Sequence, residues 1–266
     1  APSYTYKLDI EGSDIDGTIT FAEGVGDTAI IADYVGPYTA HEIVVPNVID
    51  ERIVVEIGKE AFDYCTVATS IVIPDGVTSI GEYMFSGCYN LKSVTIPDSV
   101  TSIGEYAFYG CSNLASINIP EGVISISGFA FCECSNLTSV YIPESVINIA
   151  HRVFSHCYSL TSINIPEGVT SISAGVFAQC KKLTSIEIPK GVTSIGMEAF
   201  YGCLNLTSIN IPEGVINMGD EVFKNCSAFP AFCQGFLPVL QFLGIRLKLI
   251  QIQHLFQLIF PLSYLQ

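Results

Sequence analysis

Seven prolines, eight phenylalanines and eight cysteines of this chain recur at intervals of 23 residues. The prolines run from Pro74 to Pro212, the phenylalanines from Phe62 to Phe223 and the cysteines from Cys65 to Cys226. Three unrelated residue types keep one phase without a slip. A period of this length dictates a solenoid, in which one short unit repeats and neighbouring units bury a shared core.

One unit shows how. Leu114, Ile117 and Ile119 follow an L-x-x-I-x-I pattern, which predicts a short strand facing a core. Pro120-Glu121-Gly122 reads as a turn, since proline presets φ at the second turn position. Val123 and Ile126 predict a second short strand. Phe131, Cys134 and Leu137 are spaced by three, which predicts a tight helical turn with all three on one face. The expected fold is therefore a repeat solenoid, mainly β with short helical turns. Coils stacked at strand spacing, about 4.8 Å, give a body of the order of 40 Å for eight coils.

Three segments follow from where the period holds. Residues 1–54 form an N-terminal β cap and degenerate first coil, 55–226 the repeat array, and 227–266 an atypical apolar tail or cap. In the cap, Tyr4, Tyr6, Leu8 and Ile10 alternate with polar residues, and Thr18 to Phe21 return as a second strand of a hairpin. Such a hairpin covers the open end of a solenoid. Ile43-Val44-Val45-Pro46 aligns with the later Ile-x-Ile-Pro strands, but Pro46 and Pro74 are 28 residues apart, so the first coil carries an insertion near Val48–Arg52. The tail lacks both the proline and the Phe-x-x-Cys pattern. Thr-Ser-Val-Thr-Ile-Pro encoded as ACC AGT GTT ACA ATT CCT and read from the second base gives Pro-Val-Leu-Gln-Phe-Leu, the sequence of Pro238 to Leu243. The tail thus reads as a frameshifted continuation of the array, with an unrelated apolar cap as the alternative.

Composition excludes several classes. Net charge is -15, with 13 of the 26 acidic groups in residues 1–65, and this argues against nucleic acid as a partner. No uninterrupted apolar run is long enough to span a membrane. A start at Ala1 rather than Met fits an exported chain whose leader has been removed. Cysteines at the repeat period point the same way in adjacent coils, so their Cβ vectors do not converge as a disulfide requires. They are expected to be buried free thiols acting as small apolar fillers, with Cys132 and Cys233 off-register.

The unit Leu-Thr-Ser-Ile-Asn-Ile-Pro-Glu-Gly-Val-Thr-Ser-Ile, followed by Ala-Phe-Tyr-Gly-Cys-x-Asn-Leu, resembles the BspA-type (Treponema pallidum-type) leucine-rich repeat over about residues 55–226. The segment from Asp16 to Phe21 through Ile43 to Pro46 is similar to the cap and first coil before such arrays. The resemblance implies a right-handed leucine-rich-repeat solenoid. It also implies an extracellular or cell-surface protein, often an adhesin for host or neighbouring-cell proteins. It carries over no binding residues.

Catalysis finds little footing. His151 and His156 share a coil beside Cys157, but the thiol points inward by phase while its neighbour does not, and a zinc site needs about four converging ligands. The acidic run Asp9, Glu11, Asp14, Asp16 has carboxylates for Ca²⁺ without the spacing of a calcium loop, and reads as a solvated hairpin. No cofactor, metal or catalytic residue is expected.

The outward positions of the first strand are the better candidate. They read Thr138, Thr161 and Thr184 in one row, and Asn118, Tyr141, Asn164, Glu187 and Asn210 in the most variable row. Solenoids bind through such extended surfaces. The expectation is a non-enzymatic protein-binding or adhesion module. A glycan or a second copy is the lesser ligand, and a structural spacer or self-assembling surface element is the alternative role.

Overall fold

A computed structural model describes residues 3–8, 17–24, 27–35 and 41–228. The acidic run from Asp9 to Asp16, Cys233, His254 and the segment 229–266 lie outside the described residues, and with them the frameshift reading of the tail.

The cap starts as a hairpin. β1 (Ser3–Leu8) pairs antiparallel with β2 (Gly17–Glu23), as the alternation predicts. β2 in turn pairs antiparallel with β3 (Thr28–Val35). The first strand on the array's strand face is β4 (His41–Val44), which pairs parallel with Ala68–Val72. The insertion is a second hairpin, β5 (Val48–Ile49) against β6 (Arg52–Ile57). Its two turn residues, Asp50 and Glu51, both have positive φ (48° and 66°), the geometry that lets a two-residue turn follow strand twist. β6 pairs parallel with β3, so the cap sheet runs β1-β2-β3-β6-β5.

From there the chain repeats. Strands on one side, such as Ser116–Asn118 and Ser139–Tyr141, pair parallel with their equivalents 23 residues on. A second column of two-residue strands does the same in two runs, Ser79–Ile80 to Asn148–Ile149 and Ser171–Ile172 to Asn217–Met218. The inward residues are the ones the period marks: Leu114, Val123, Ile126, Phe131 and Cys134 are fully buried. The phenylalanines stack ring over ring from Phe62 to Phe223, with centroids 5.1 to 6.0 Å apart. Tyr34 of β3 heads this stack at 5.4 Å from Phe62, which joins cap to array through one continuous aromatic column.

The expected helical turn is not there: the described residues contain no helix. The segment from Gly104 to Leu114 instead makes alternating bonds. Ala107, Tyr109 and Cys111 donate to the carbonyl three residues back, while Tyr106, Phe108 and Gly110 donate to Gly128, Ala130 and Cys132 of the next coil. Two residues per coil must therefore take positive φ, here Tyr106 at 56° and Gly110 at 69°. Successive turns broken by left-handed residues cannot propagate as a helix. They still repeat an i, i+3 apolar spacing, which is why the sequence pattern points to one.

Candidate functional site

The array presents a strand face and a turn face. On the strand face, Asn118, Glu187 and Asn210 are exposed, as are Thr138, Thr161 and Thr184, and Tyr141 is 53% exposed. The inward and outward phases agree with the alternation, since Val140 and Ile142 between and beyond them are buried.

Two of the rows are less free than their sequence suggests. The Thr138 hydroxyl donates to the Ala115 carbonyl at 3.1 Å and that of Thr161 to Thr138 at 3.1 Å, each beside a backbone N–H bonded to the same oxygen. The threonine hydroxyls thus tie coils together. Asn164 is only partly exposed and turns back on the sheet. Its Oδ1 accepts from the Ile142 N–H at 2.9 Å, and its Nδ2 donates to the Ile142 carbonyl at 2.6 Å. In the first coils the corresponding Ile73 N–H goes to a main-chain carbonyl, that of Thr95. The Asn164 amide stands in for backbone; the sheet of Ser116–Asn118 and Ser139–Tyr141 ends at Ser162–Ile163, and Ser185–Glu187 and Ser208–Asn210 pair as a separate sheet beyond it.

The cysteine column is more than apolar filling. All nine described cysteines are free and buried. Seven of them, Cys88 to Cys226, donate S–H to the phenylalanine carbonyl 26 residues back, at 3.0 to 3.2 Å. Burial holds the thiols of Cys111, Cys134, Cys157 and Cys180 above the usual range, and pushes Cys65 up to about 12. These five thiols are protonated and inert rather than nucleophilic, whereas a hydrogen bond with Cys203 lowers the value of Cys226.

The turn face carries a second column of aromatic rings. Tyr83, Tyr106 and Phe129 stack at 4.7 Å, closed at one end by Lys59 over Tyr83 (5.5 Å) and at the other by the edge of His151 (5.0 Å). Tyr64 and Tyr89 are 60% and 45% exposed and meet edge to face at 6.2 Å. Tyr109 donates to Glu133 at 2.7 Å, a bond that keeps its phenol well above the ordinary range. The tyrosines at 83 and 106 share the 23-residue spacing, so the signal lay in the sequence beside the phenylalanine column.

His156 shares a hydrogen bond with Ser155 (2.9 Å), and burial lowers its affinity for a proton. Ser155 is fully buried, so no substrate reaches its hydroxyl. No cluster of three or more metal-ligating side chains occurs among the described residues. No helix among them is long and apolar enough to cross a membrane.

Residues 55–181 and 147–232 match the family described as BspA type leucine rich repeat region, in 6 copies. Among solved structures, the chain is similar to the Treponema pallidum leucine rich repeat protein. Identity is 29% and the TM-score 0.61, with 84% of this chain and 92% of that one covered. It also aligns with a leucine rich cell surface protein from Faecalibacterium prausnitzii, at 25% identity, a TM-score of 0.44, and 86% and 94% coverage. No curated protein matches the chain.

Proposed function

Since the chain belongs to the BspA-type leucine-rich repeat family, we propose that it is a non-enzymatic, cell-surface or secreted binding module that holds a protein partner on its strand face. The observation that carries this reading is the exposed row Asn118, Tyr141, Glu187 and Asn210. It sets one half-exposed aromatic ring between amides and a carboxylate on a rigid, parallel-paired frame. A tyrosine supplies large contact area at low entropic cost, and the flanking amides donate and accept. Rigid spacing of these groups removes most of the ordering cost of binding. Asn164 serves the frame rather than the partner, because both ends of its amide are already bonded. The polar row and the family's repeat fold support display outside the cell.

The test is capture of matrix and cell-surface proteins by the full chain, followed by titration of whatever is identified. A combined Asn118→Ala, Tyr141→Ala, Glu187→Ala variant should fold normally and lose at least about tenfold in affinity, since hot-spot truncations cost about 1–2 kcal/mol or more. A partner that binds this variant as tightly as the parent chain would refute the strand face as the site. Absence of any saturable partner would favour the spacer role.

A further inference from the structure

The turn face contains a contact made in one coil and left unfinished in another. Tyr158 and Tyr89 occupy equivalent positions three coils apart. Over the Tyr158 ring sits the ammonium of Lys181, the residue 23 positions on, at 4.4 Å from the centroid. The residue 23 positions after Tyr89 is Ser112, whose short side chain turns to the Tyr89 carbonyl at 3.5 Å. The ring face that Lys181 covers on Tyr158 thus has no cation over it on Tyr89 among the described residues. Tyr64 stands at 66° to Tyr89, so the two rings make an aromatic corner.

The surroundings favour a cation. The turn segments of these first coils carry Glu60, Asp63, Glu82, Glu105 and Glu133. Their one base, Lys59, is already paired with Glu82 at 3.1 Å and Glu60 at 3.6 Å. The chain as a whole has net charge -15, so its field draws positive groups in. The C-terminal coils differ: Arg152, Lys181 and Lys224 sit on their turn segments, and Arg152 is bonded to Glu198 at 2.9 Å.

We propose that the Tyr64–Tyr89 corner is a second interaction surface, distinct from the strand face, that receives a lysine or arginine side chain from a basic segment of a partner protein. An ammonium or guanidinium over the Tyr89 ring reproduces the Lys181–Tyr158 contact in trans, and the neighbouring carboxylates supply the long-range attraction. Gly87 keeps the corner clear, whereas Gly110 leaves only ordinary contact distance to it. A β-carbon at Gly87 would lie 2.6 Å from the Tyr64 ring, and at Gly110 3.7 Å from that of Tyr89.

The experiment uses the full chain with ¹³C-labelled tyrosine rings, titrated with the peptide acetyl-(Gly-Lys)3-amide and its Nε-acetylated form. The charged peptide should move the Tyr89 and Tyr64 ring signals saturably, and the acetylated one should not. Tyr89→Leu should weaken binding about two- to fivefold, the range for one exposed cation–π contact, with an unchanged circular dichroism spectrum. Ser112→Lys should fill the face in cis, weaken binding further, and shift the Tyr89 ring signal without any peptide. Equal binding of the acetylated peptide, or undiminished binding to both variants, overturns the proposal. So does movement of the Tyr89 signal with protein concentration alone, which would make a second copy the occupant.

Discussion

Raising the pH from 7 to 10 should remove most of the stability of the array. Six thiols, those of Cys65, Cys111, Cys132, Cys134, Cys157 and Cys180, have their ordinary value of 9.0 raised first of all by burial. Below pH 9 both folded and unfolded chains hold these protons, and the contribution is fully present. Above it the unfolded chain gives them up while the folded one keeps them. Stability therefore falls as pH rises, until the folded values are passed, which for Cys65 and Cys132 lie at about 12. Each unit between the two values is about 1.4 kcal/mol per group, so six groups cost roughly 8 kcal/mol by pH 10. That is comparable with the whole stability of an ordinary domain, about 5–15 kcal/mol. Urea melts followed by far-ultraviolet circular dichroism at pH 7.5, 8.5, 9.5 and 10, under reductant and argon, measure it. The midpoint should hold to about pH 8.5 and then collapse. Replacing Cys134 and Cys157 with serine removes two of the six groups and should flatten the fall by about a third. A midpoint constant to pH 10 would mean that the thiols ionise freely in the folded chain, and the buried S–H column would be wrong.

Other outcomes follow from particular contacts. Asn164→Ala should cost about 1–3 kcal/mol because it strands the Ile142 N–H, whereas Asn118→Ala should stay within about 0.5 kcal/mol; equal effects in urea melts would refute the backbone role of Asn164. Phe131→Ala removes a ring held between Phe108 and Phe154 and should cost about 3–5 kcal/mol, far above Thr138→Ala. A β-carbon at Gly110 would meet the Tyr89 ring at an ordinary 3.7 Å, but φ there is 69°, so Gly110→Ala should cost about 1–2 kcal/mol from backbone conformation, read as a lowered melting temperature. The acidic residues that follow the repeat prolines, Asp75, Asp98, Glu121, Glu144, Glu167 and Glu213, recur coil after coil and repel, so moderate NaCl should raise the melting temperature slightly, less so at Glu144, whose carboxylate accepts the Glu167 N–H at 3.1 Å.

The architecture was legible because burial acts on every coil alike: Phe131 and Cys134 meet the same surroundings as Phe154 and Cys157, and selection of residue type repeats with the period. Spacing alone did not reveal backbone conformation. Phe131, Cys134 and Leu137 satisfy the apolar face of a helix and of two linked turns equally well, and only the positive φ of Phe129 and Glu133 separates them. The insertion at Val48–Arg52 was visible as a broken period, though not as a hairpin. Asn164 was read outward with Asn118 and Asn210 because one residue type serves either a partner or the backbone, and the choice rests on whether an adjacent main-chain group lacks a bond. The cysteine column was found, but its S–H bonds to carbonyls were not, since a thiol and a methyl fill similar space in a pattern of hydrophobicity.

The turn side of the array also has a direction. At each junction from Glu60 onward, three N–H groups are given to the next coil, as from Tyr106, Phe108 and Gly110 to Gly128, Ala130 and Cys132. Bonds in the opposite sense come from the cysteine S–H groups and from flanking positions, such as the Asn136 N–H to the Ser112 carbonyl. The three peptides per coil that make the forward bonds therefore line up along the axis of the stack, oxygen toward the cap and hydrogen toward the far end. Each of these peptides accepts from the coil before it and donates to the coil after it, so the three columns are continuous hydrogen-bond chains in which each bond polarises the next.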